Sequence, residues 1–508
     1  MKKLLLALAA AMFIGQAAPM PAFAADPQPV YGGILHLKWG TLDTTDFHRH
    51  TGTISLPHPF AETLTSISKD GSPKPLLAES WTVSEDGLTY TFKIRQGVKF
   101  HNGRIMTAKD IQANFERIRD KVKGGWLTTA MEHVKSFATP DDYTFVVNMS
   151  SPFSPFLNLI AEAWILAPES PGWDTTITQP IGTGPFTFDS WTPQLVLKGS
   201  KFKDYWMEGK PYLDGIEFDV RETADATLGL RAGDYDVADV PLDKIDQLKQ
   251  AGFDIQFLGG TSWNFVSFNN RNPRPPFDNV RIREAVEWAI DRNQFSKILD
   301  GNYGEPGNQP VGKDNFFFDK DMAANDPHNV ADLDKAKAII KEEGIKPSDY
   351  NVYIVNTVGN KFGPLVAQVL RQLGFGVDVK DFDDLGFQRA LSEFNWDIYP
   401  GGSGARNDIF LRYVRLMSDG PNPGLWGGIQ NPDLDALINQ AASTPDAAKS
   451  RDLYLQAWKL VMDHHYTFGI DQNPSAFAIS PKVHDFTVGF NNSAHRVDGG
   501  LAFTWLEH

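Results

Sequence analysis

A chain of 508 residues that contains no cysteine must hold its shape by buried apolar surface and hydrogen bonds, because no disulfide can close a loop and no thiolate can anchor a metal. At the usual scale of ~100 to 200 residues per domain, one compact core does not suffice, and two or three lobes are expected. Hydrophobic residues at 42% and aromatic residues at 12% supply the material for them.

The first residues bear on the compartment. Lys2 and Lys3 precede an apolar run from Leu4 to Ile14, and Ala22-Phe23-Ala24 offers a small-x-small cleavage site. Residues 1–24 are therefore expected to be a cleavable secretory signal, with the mature protein in the periplasm of a Gram-negative cell. The run is shorter than the ~20 residues of a spanning helix and no later stretch is as apolar, so no transmembrane segment is expected. Without a cysteine at the cleavage point, a lipid anchor is excluded. Loss of Lys2 and Lys3, with no acid, takes the formal charge from -15 to -17, which argues against a nucleic-acid partner.

Along the chain, Gly33 to Leu37 alternates like a strand and leads into a polar loop from Thr41 to Thr53. Asp70-Gly71, Asp86-Gly87 and Asn102-Gly103 are hairpin signals, the second followed by the alternating Leu88, Tyr90, Phe92 and Ile94. Thr107 and Asp110 have the spacing of a capping box, which predicts a helix from Ala108. A second helix, capped by Asp278, is predicted to run to Gly301. Beyond it, helical and extended runs alternate through 334–400, an α/β pattern; helices are predicted at 433–441 and 447–463, and an extended tail at 486–505. Residues 179–186 read Gln-Pro-Ile-Gly-Thr-Gly-Pro-Phe. Gly182, Gly184 and Pro185 mark a sharp crossover between extended segments, where glycine's positive φ would be used.

Five blocks, in this order and spacing, carry a resemblance: residues 87–111, 182–186, 230–237 (LRAGDYDV), 268–292 and 431–438 (NPDLDALI). Together they resemble the ABC-type extracytoplasmic solute-binding proteins of the peptide, opine and nickel importer family. The resemblance implies an α/β, three-lobed periplasmic binding protein of Venus-flytrap (cluster C) type. Lobe I would be discontinuous, from 25–59, 180–268 and 485–508. Residues 60–179 would form an inserted lobe II and residues 269–484 a lobe III facing lobe I across a ligand cleft. Closure on a small molecule is a population shift, driven by contacts that exist only in the closed state. The implied partner is an inner-membrane ABC permease, and the implied state a monomer.

In relatives that carry peptides, an aspartate in the cleft takes the ligand's ammonium group. Counted without gaps from Asp397, that position holds Arg406; anchored on Phe410 and Leu411, it falls near Gly402 or Ser403. Arg406 offers a planar fork of donors for a carboxylate or phosphate, against the plainer reading that it pairs with Asp408. The expected ligand is a carboxylate-bearing solute such as an opine, an acidic sugar or an amino-acid conjugate. Di- or oligopeptide capture, a chemosensory receptor and a chaperone-like binder stay open as alternatives. His48 and His50 lie on a loop where relatives touch ligand. Trp263 and Trp426 could stack on it or serve as core. No metal site is expected from His48, His50, His464 and His465, since histidine pairs on polar loops are usually solvated or hydrogen-bonded, and no cofactor is expected.

An exported hydrolase is the rival class. No Gly-x-Ser-x-Gly elbow and no His-Glu-x-x-His helix occurs. Ser66-Ile67-Ser68-Lys69 has the spacing of an acyl-transfer serine and lysine, but it sits in a hairpin without its companion motifs. No phosphate-cradling glycine motif is present. An enzyme is not expected.

Overall fold

The computed structural model describes residues 28–507 except 51–55, 69–70, 123–125, 222–225, 405, 407, 490–494 and 497–498. The expected signal and its cleavage site lie outside the described residues. Among these residues no helix is long and apolar enough to cross a membrane.

An eleven-stranded mixed sheet runs through the molecule. Its strands are β1 (Ile34–Lys38), β2 (Phe186–Thr192), β3 (Val196–Lys201), β4 (Gly215–Asp219), β5 (Val237–Val240), β6 (Asp254–Phe268), β7 (Asn351–Thr357), β8 (Gly376–Phe382), β9 (Ile398–Ser403) and β10 (Thr467–Ile479). A short piece at Glu305–Pro306 pairs with β10. The order is β8-β7-β9-β6-β10-β5-β1-β4-β3-β2. Helices alternate with strands on the β7 to β9 side, which gives that side the expected α/β character.

Only β6 and β10 belong to both halves of the sheet. Asp254 to Leu258 pair with Ser475 to Ile479, and Ser262 to Ser267 pair with Thr467 to Asn473; the register shifts in between. At one end β10 also pairs with β5, and at the other β6 also pairs with β9. A register shift interrupts the ladder and bends both strands.

A separate four-stranded antiparallel sheet is built from Ala78–Val83, Thr89–Ile94, Thr144–Met149 and Val134–Asp141. The hairpin signal at Asp86-Gly87 makes its first turn. The helix Ala108–Lys121 covers this sheet and starts where the capping box places it, with the Thr107 N–H donating to the Asp110 carboxylate at 2.8 Å. Phe92, Phe115 and Phe145 are fully buried between them.

Two expectations change. The helix predicted from Asp278 to Gly301 is two, Val280–Ala289 and Arg292–Asp300. Asn279, not Asp278, caps the first, and the Asp291 side chain accepts from the Gln294 N–H to cap the second. An aspartate whose carboxylate satisfies a new helix's open N–H competes with continuing the old helix. Among the described residues of the tail expected to be extended, only short strand pieces form: His495–Arg496 pairs with Gly499–Gly500, and Trp505–Leu506 pairs with Val483–His484.

The Gly-Thr-Gly-Pro octet does form a close crossover, for a different reason. Neither Gly182 nor Gly184 is left-handed; a Cβ at Gly182 would lie 2.1 Å from the Phe60 carbonyl, and one at Gly184 2.4 Å from that of Pro59. Glycine is needed there for backbone-on-backbone approach. Replacing Gly182 by alanine is therefore expected to cost ~1–3 kcal/mol of stability through overpacking. Chemical denaturation of the variant reads this as a lowered midpoint, whereas Gly307→Ala, where an added Cβ meets nothing within 4 Å, leaves it in place.

Candidate functional site

After β9 the chain passes Gly404 and Arg406 and enters the short helix Phe410–Tyr413. That helix and the start of the helix Ala447–Asp463 form one wall of a cavity of about 370 Å³. Phe316 and Phe317, which pack on that second helix, join this wall, and the 71–73 turn and the segment 154–158 line the rest. The cavity thus lies between segments expected in the second and third lobes, whereas the resemblance pointed to a cleft between the first and third.

Charge is concentrated on one side of it. Arg406 and Arg412 both line the cavity, Arg406 half-buried and Arg412 buried. Burial lowers the pKa of Arg406, with Glu162 pulling the other way. Arg412 is brought down to about 9, by burial first and then by the charges of Arg406 and Arg415. Arg415 is brought to about 10 by burial and Arg406. The charge of Arg406 thus weighs on both Arg412 and Arg415, which marks a place where positive charge is gathered and poorly hydrated, the setting in which an anion gains most. One hydrogen bond from Arg412 Nη2 to the Gly404 carbonyl, 3.2 Å, ties the helix back to the end of β9.

Asp408 lines the same cavity. Burial raises its pKa to about 6, against the hydrogen bonds it accepts from the Phe410 N–H at 2.8 Å and Asn158 Nδ2 at 2.9 Å. The Asn158 bond joins the two walls directly. The Tyr454 hydroxyl also lines the cavity, buried and without a hydrogen-bond partner among the described residues.

The other expected site residues go elsewhere. Ser403 is buried at the end of β9, in register with Trp263, and is not among the residues lining this cavity. Trp263 and Trp426 are core: their rings stack at 5.6 Å, Trp426 stacks on Phe265 at 4.7 Å, and Trp458 meets Trp263 edge-on at 5.5 Å. Ring faces already taken by other rings cannot hold a ligand, so stacking within the core replaces the expected stacking on a solute. Arg412, Asn158 and Tyr454 were not singled out from sequence. The run Arg406, Arg412, Arg415 was the available signal, three arginines within ten residues that otherwise include Ile409, Phe410, Leu411 and Val414.

His48 and His50 are also removed from the site. Both are buried. His48 Nδ1 lies 2.8 Å from Arg117 Nη1 and Nε2 lies 2.8 Å from the Trp164 carbonyl. Since guanidinium only donates, Nδ1 is the acceptor and Nε2–H donates. Arg117 is itself held by Asp46 at 2.6 and 2.9 Å. His50 Nδ1 bonds Asp43. The loop's polar side chains are spent on pinning the loop.

A profile of bacterial extracellular solute-binding proteins, family 5 (middle), matches residues 72–422. The chain belongs to this family. The glutathione-binding protein GsiB of Escherichia coli K12 is 27% identical over 443 residues, covering 83% of this chain and 84% of the relative. GsiB of E. coli O6:K15:H31 reaches 30% over the same coverage. Among solved structures, the substrate-binding protein CtaP of Listeria monocytogenes superposes with a TM-score of 0.82 at 21% identity, over 94% of this chain and all of that one. AgaA of A. tumefaciens R10, solved with agropinic acid, gives 0.73 at 22%, over 94% and 99%. The oligopeptide-binding protein AppA of Bacillus subtilis, solved with a nonapeptide, gives 0.77 at 22%, over 95% and 100%. The multi-lobed α/β solute-binding fold is thereby shown, and with it the role of the family: an extracytoplasmic subunit that binds a small ligand and delivers it to an ABC permease.

His48 supplies a pH test of the loop. Burial, then the charge of Arg117, lowers its pKa to about 4 from an ordinary 6.5, so protonation favours the unfolded chain and this contribution is lost as pH falls from about 6.5 to about 4. The stability difference between the native protein and His48→Asn should shrink over that window, at up to ~1.4 kcal/mol per pH unit. Denaturation at pH 7.5, 6, 5 and 4 measures it; a difference independent of pH would remove His48 from this role.

Proposed function

We propose that this protein captures a small anionic organic solute, carboxylate-bearing and of the opine, acidic-sugar or amino-acid-conjugate class, at Arg406 and Arg412, and presents it to its permease. The crowded guanidiniums carry the reading. Their like charges lie close together beside the cavity, where an entering carboxylate meets guanidinium donors suited to paired hydrogen bonds. Asp408, with a pKa near 6, is suited to accept from a hydroxyl or ammonium group elsewhere on the same solute. The volume suits a compact ligand, small-molecule sites commonly holding roughly 300–1,000 Å³. Agropinic acid in AgaA supports an anionic solute; the nonapeptide in AppA supports the peptide alternative, against which stands the arginine at the ungapped position of the peptide-binding aspartate. A chemosensory or chaperone-like role has no observation in its favour.

For the mechanics we propose a joint within β6 and β10, at the register shift, rather than at the expected boundaries 268/269 and 484/485. Two strands bending together let the halves of the sheet rotate, and a ligand contacting both walls holds them closed.

Calorimetry against a panel of opines, acidic sugars and dipeptides, with mass spectrometry of whatever the purified protein releases on denaturation, tests the assignment. An acidic solute should bind, and Arg406→Ala and Arg412→Ala should each weaken it by ~2–5 kcal/mol, roughly 30-fold to several thousand-fold. Binding confined to neutral or cationic peptides, or affinity unchanged in both variants, would overturn it.

A further inference from the structure

Away from that cavity, five ionisable side chains meet where the helix Val280–Ala289, the turn Pro327–Asn329 and the junction between the helix Ala447–Asp463 and β10 pack together. Glu287, Arg292, Asp326 and His328 are each less than a tenth exposed, and His465 is partly covered. Arg292 bridges the two acids, Nη2 to Glu287 Oε1 at 2.5 Å and Nη1 to Asp326 Oδ2 at 2.8 Å. The remaining carboxylate oxygens face imidazoles: Glu287 Oε2 lies 2.6 Å from His465 Nδ1, and Asp326 Oδ1 lies 3.2 Å from His328 Nδ1. His328 Nδ1 is also 3.7 Å from Glu287 Oε1.

Two carboxylates and two imidazoles thus face one another around a single guanidinium in a place shielded from water, and buried polar groups of this kind need partners that satisfy them all.

The geometry points to a binding site for a divalent metal ion of the zinc class, held by Glu287, His328 and His465 with Asp326 at its rim. One donor atom from each of the three lies within 4.8 Å of the others. Ligands ~2.0–2.2 Å from a tetrahedral zinc sit roughly 3.3 Å apart, and three donor atoms within 4.8 Å of one another are near that spacing. Two imidazole nitrogens with carboxylate oxygens suit zinc and its neighbours rather than magnesium or calcium. His328 Nδ1 faces the Asp326 carboxylate, which only accepts, so Nδ1–H donates, and the buried Nε2, without a hydrogen-bond partner among the described residues, carries the lone pair open to an ion. A second cavity, about 200 Å³ and lined by Asp326, Asn308 and Gln472, reaches the cluster and offers an entry path. The ion would tie a helix and a turn to the start of β10, and it departs from the sequence expectation of no metal site, which had weighed His465 but not His328 or Glu287.

The test uses untagged mature protein, stripped with chelator and dialysed against Zn²⁺, with bound metal counted by mass spectrometry and melting followed in parallel. About one ion per chain and a raised melting temperature are expected, with no effect of Mg²⁺. His328→Gln and His465→Gln should each abolish retention, and Arg406→Ala should keep it, separating this site from the solute cavity. X-ray absorption of the zinc-loaded native protein should show two imidazoles, which keeps the assignment testable if a variant misfolds. No zinc retained by the native protein, retention undiminished in the double histidine variant, or a shell without imidazole would overturn the site and leave the cluster as a proton-bridged ion network.

Discussion

The antiparallel pairing of β6 with β10 is the constraint on which the rest of the molecule depends. Each strand begins in one half of the large sheet and ends in the other, and no other pair does so among the described residues. Ladder hydrogen bonds on either side of the register shift keep each half in order, while the shift itself breaks the ladder where the halves meet. The segment carrying Arg406 and Arg412 leaves from β9, which pairs with β6, and so belongs to that half.

Buried charge is used in three distinct ways. Around Asp46, Arg117 and His48 every polar atom of the core pair finds a partner, and the effect is to fasten a long loop. Around Arg406, Arg412 and Arg415 three positive charges gather beside a cavity, an arrangement typical of functional sites. Around Glu287 and Asp326 two carboxylates and two imidazoles gather about one guanidinium. Burial alone cannot distinguish these cases, since all three clusters are desolvated; the kinds of group that meet in each do.

Much of the fold was legible in the chain, and unevenly. The helices at 108–121 and 447–463 follow from caps and apolar spacing, which are local. The hairpin at Asp86-Gly87 is equally local. The break at Ile290-Asp291 was missed because Asp291 continues a helical pattern in composition, and only its carboxylate's reach to Gln294 N–H ends one helix and begins another. Gly182 and Gly184 were correctly marked as a crossover, with the wrong reason: their need is set by Pro59 and Phe60, more than a hundred residues away. Arg406 was singled out by its position in a known family segment and Asp408 as the acid for it to pair with, and both line the cavity. The histidines and tryptophans were misplaced because residue type says what a side chain can do and not which neighbours will use it.

The sequence by itself determined the class of protein, the α/β character and most helix starts. These rest on local propensity or on the order of family blocks, both of which are one-dimensional. Only the tertiary structure decided that Trp263 and Trp426 are core, that His48 is neutral and closed in, that Arg412 joins Arg406, and that Glu287, His328 and His465 converge from three distant stretches. Each of those outcomes depends on which desolvated groups end up facing one another, and that is a property of packing that no stretch of the chain carries alone.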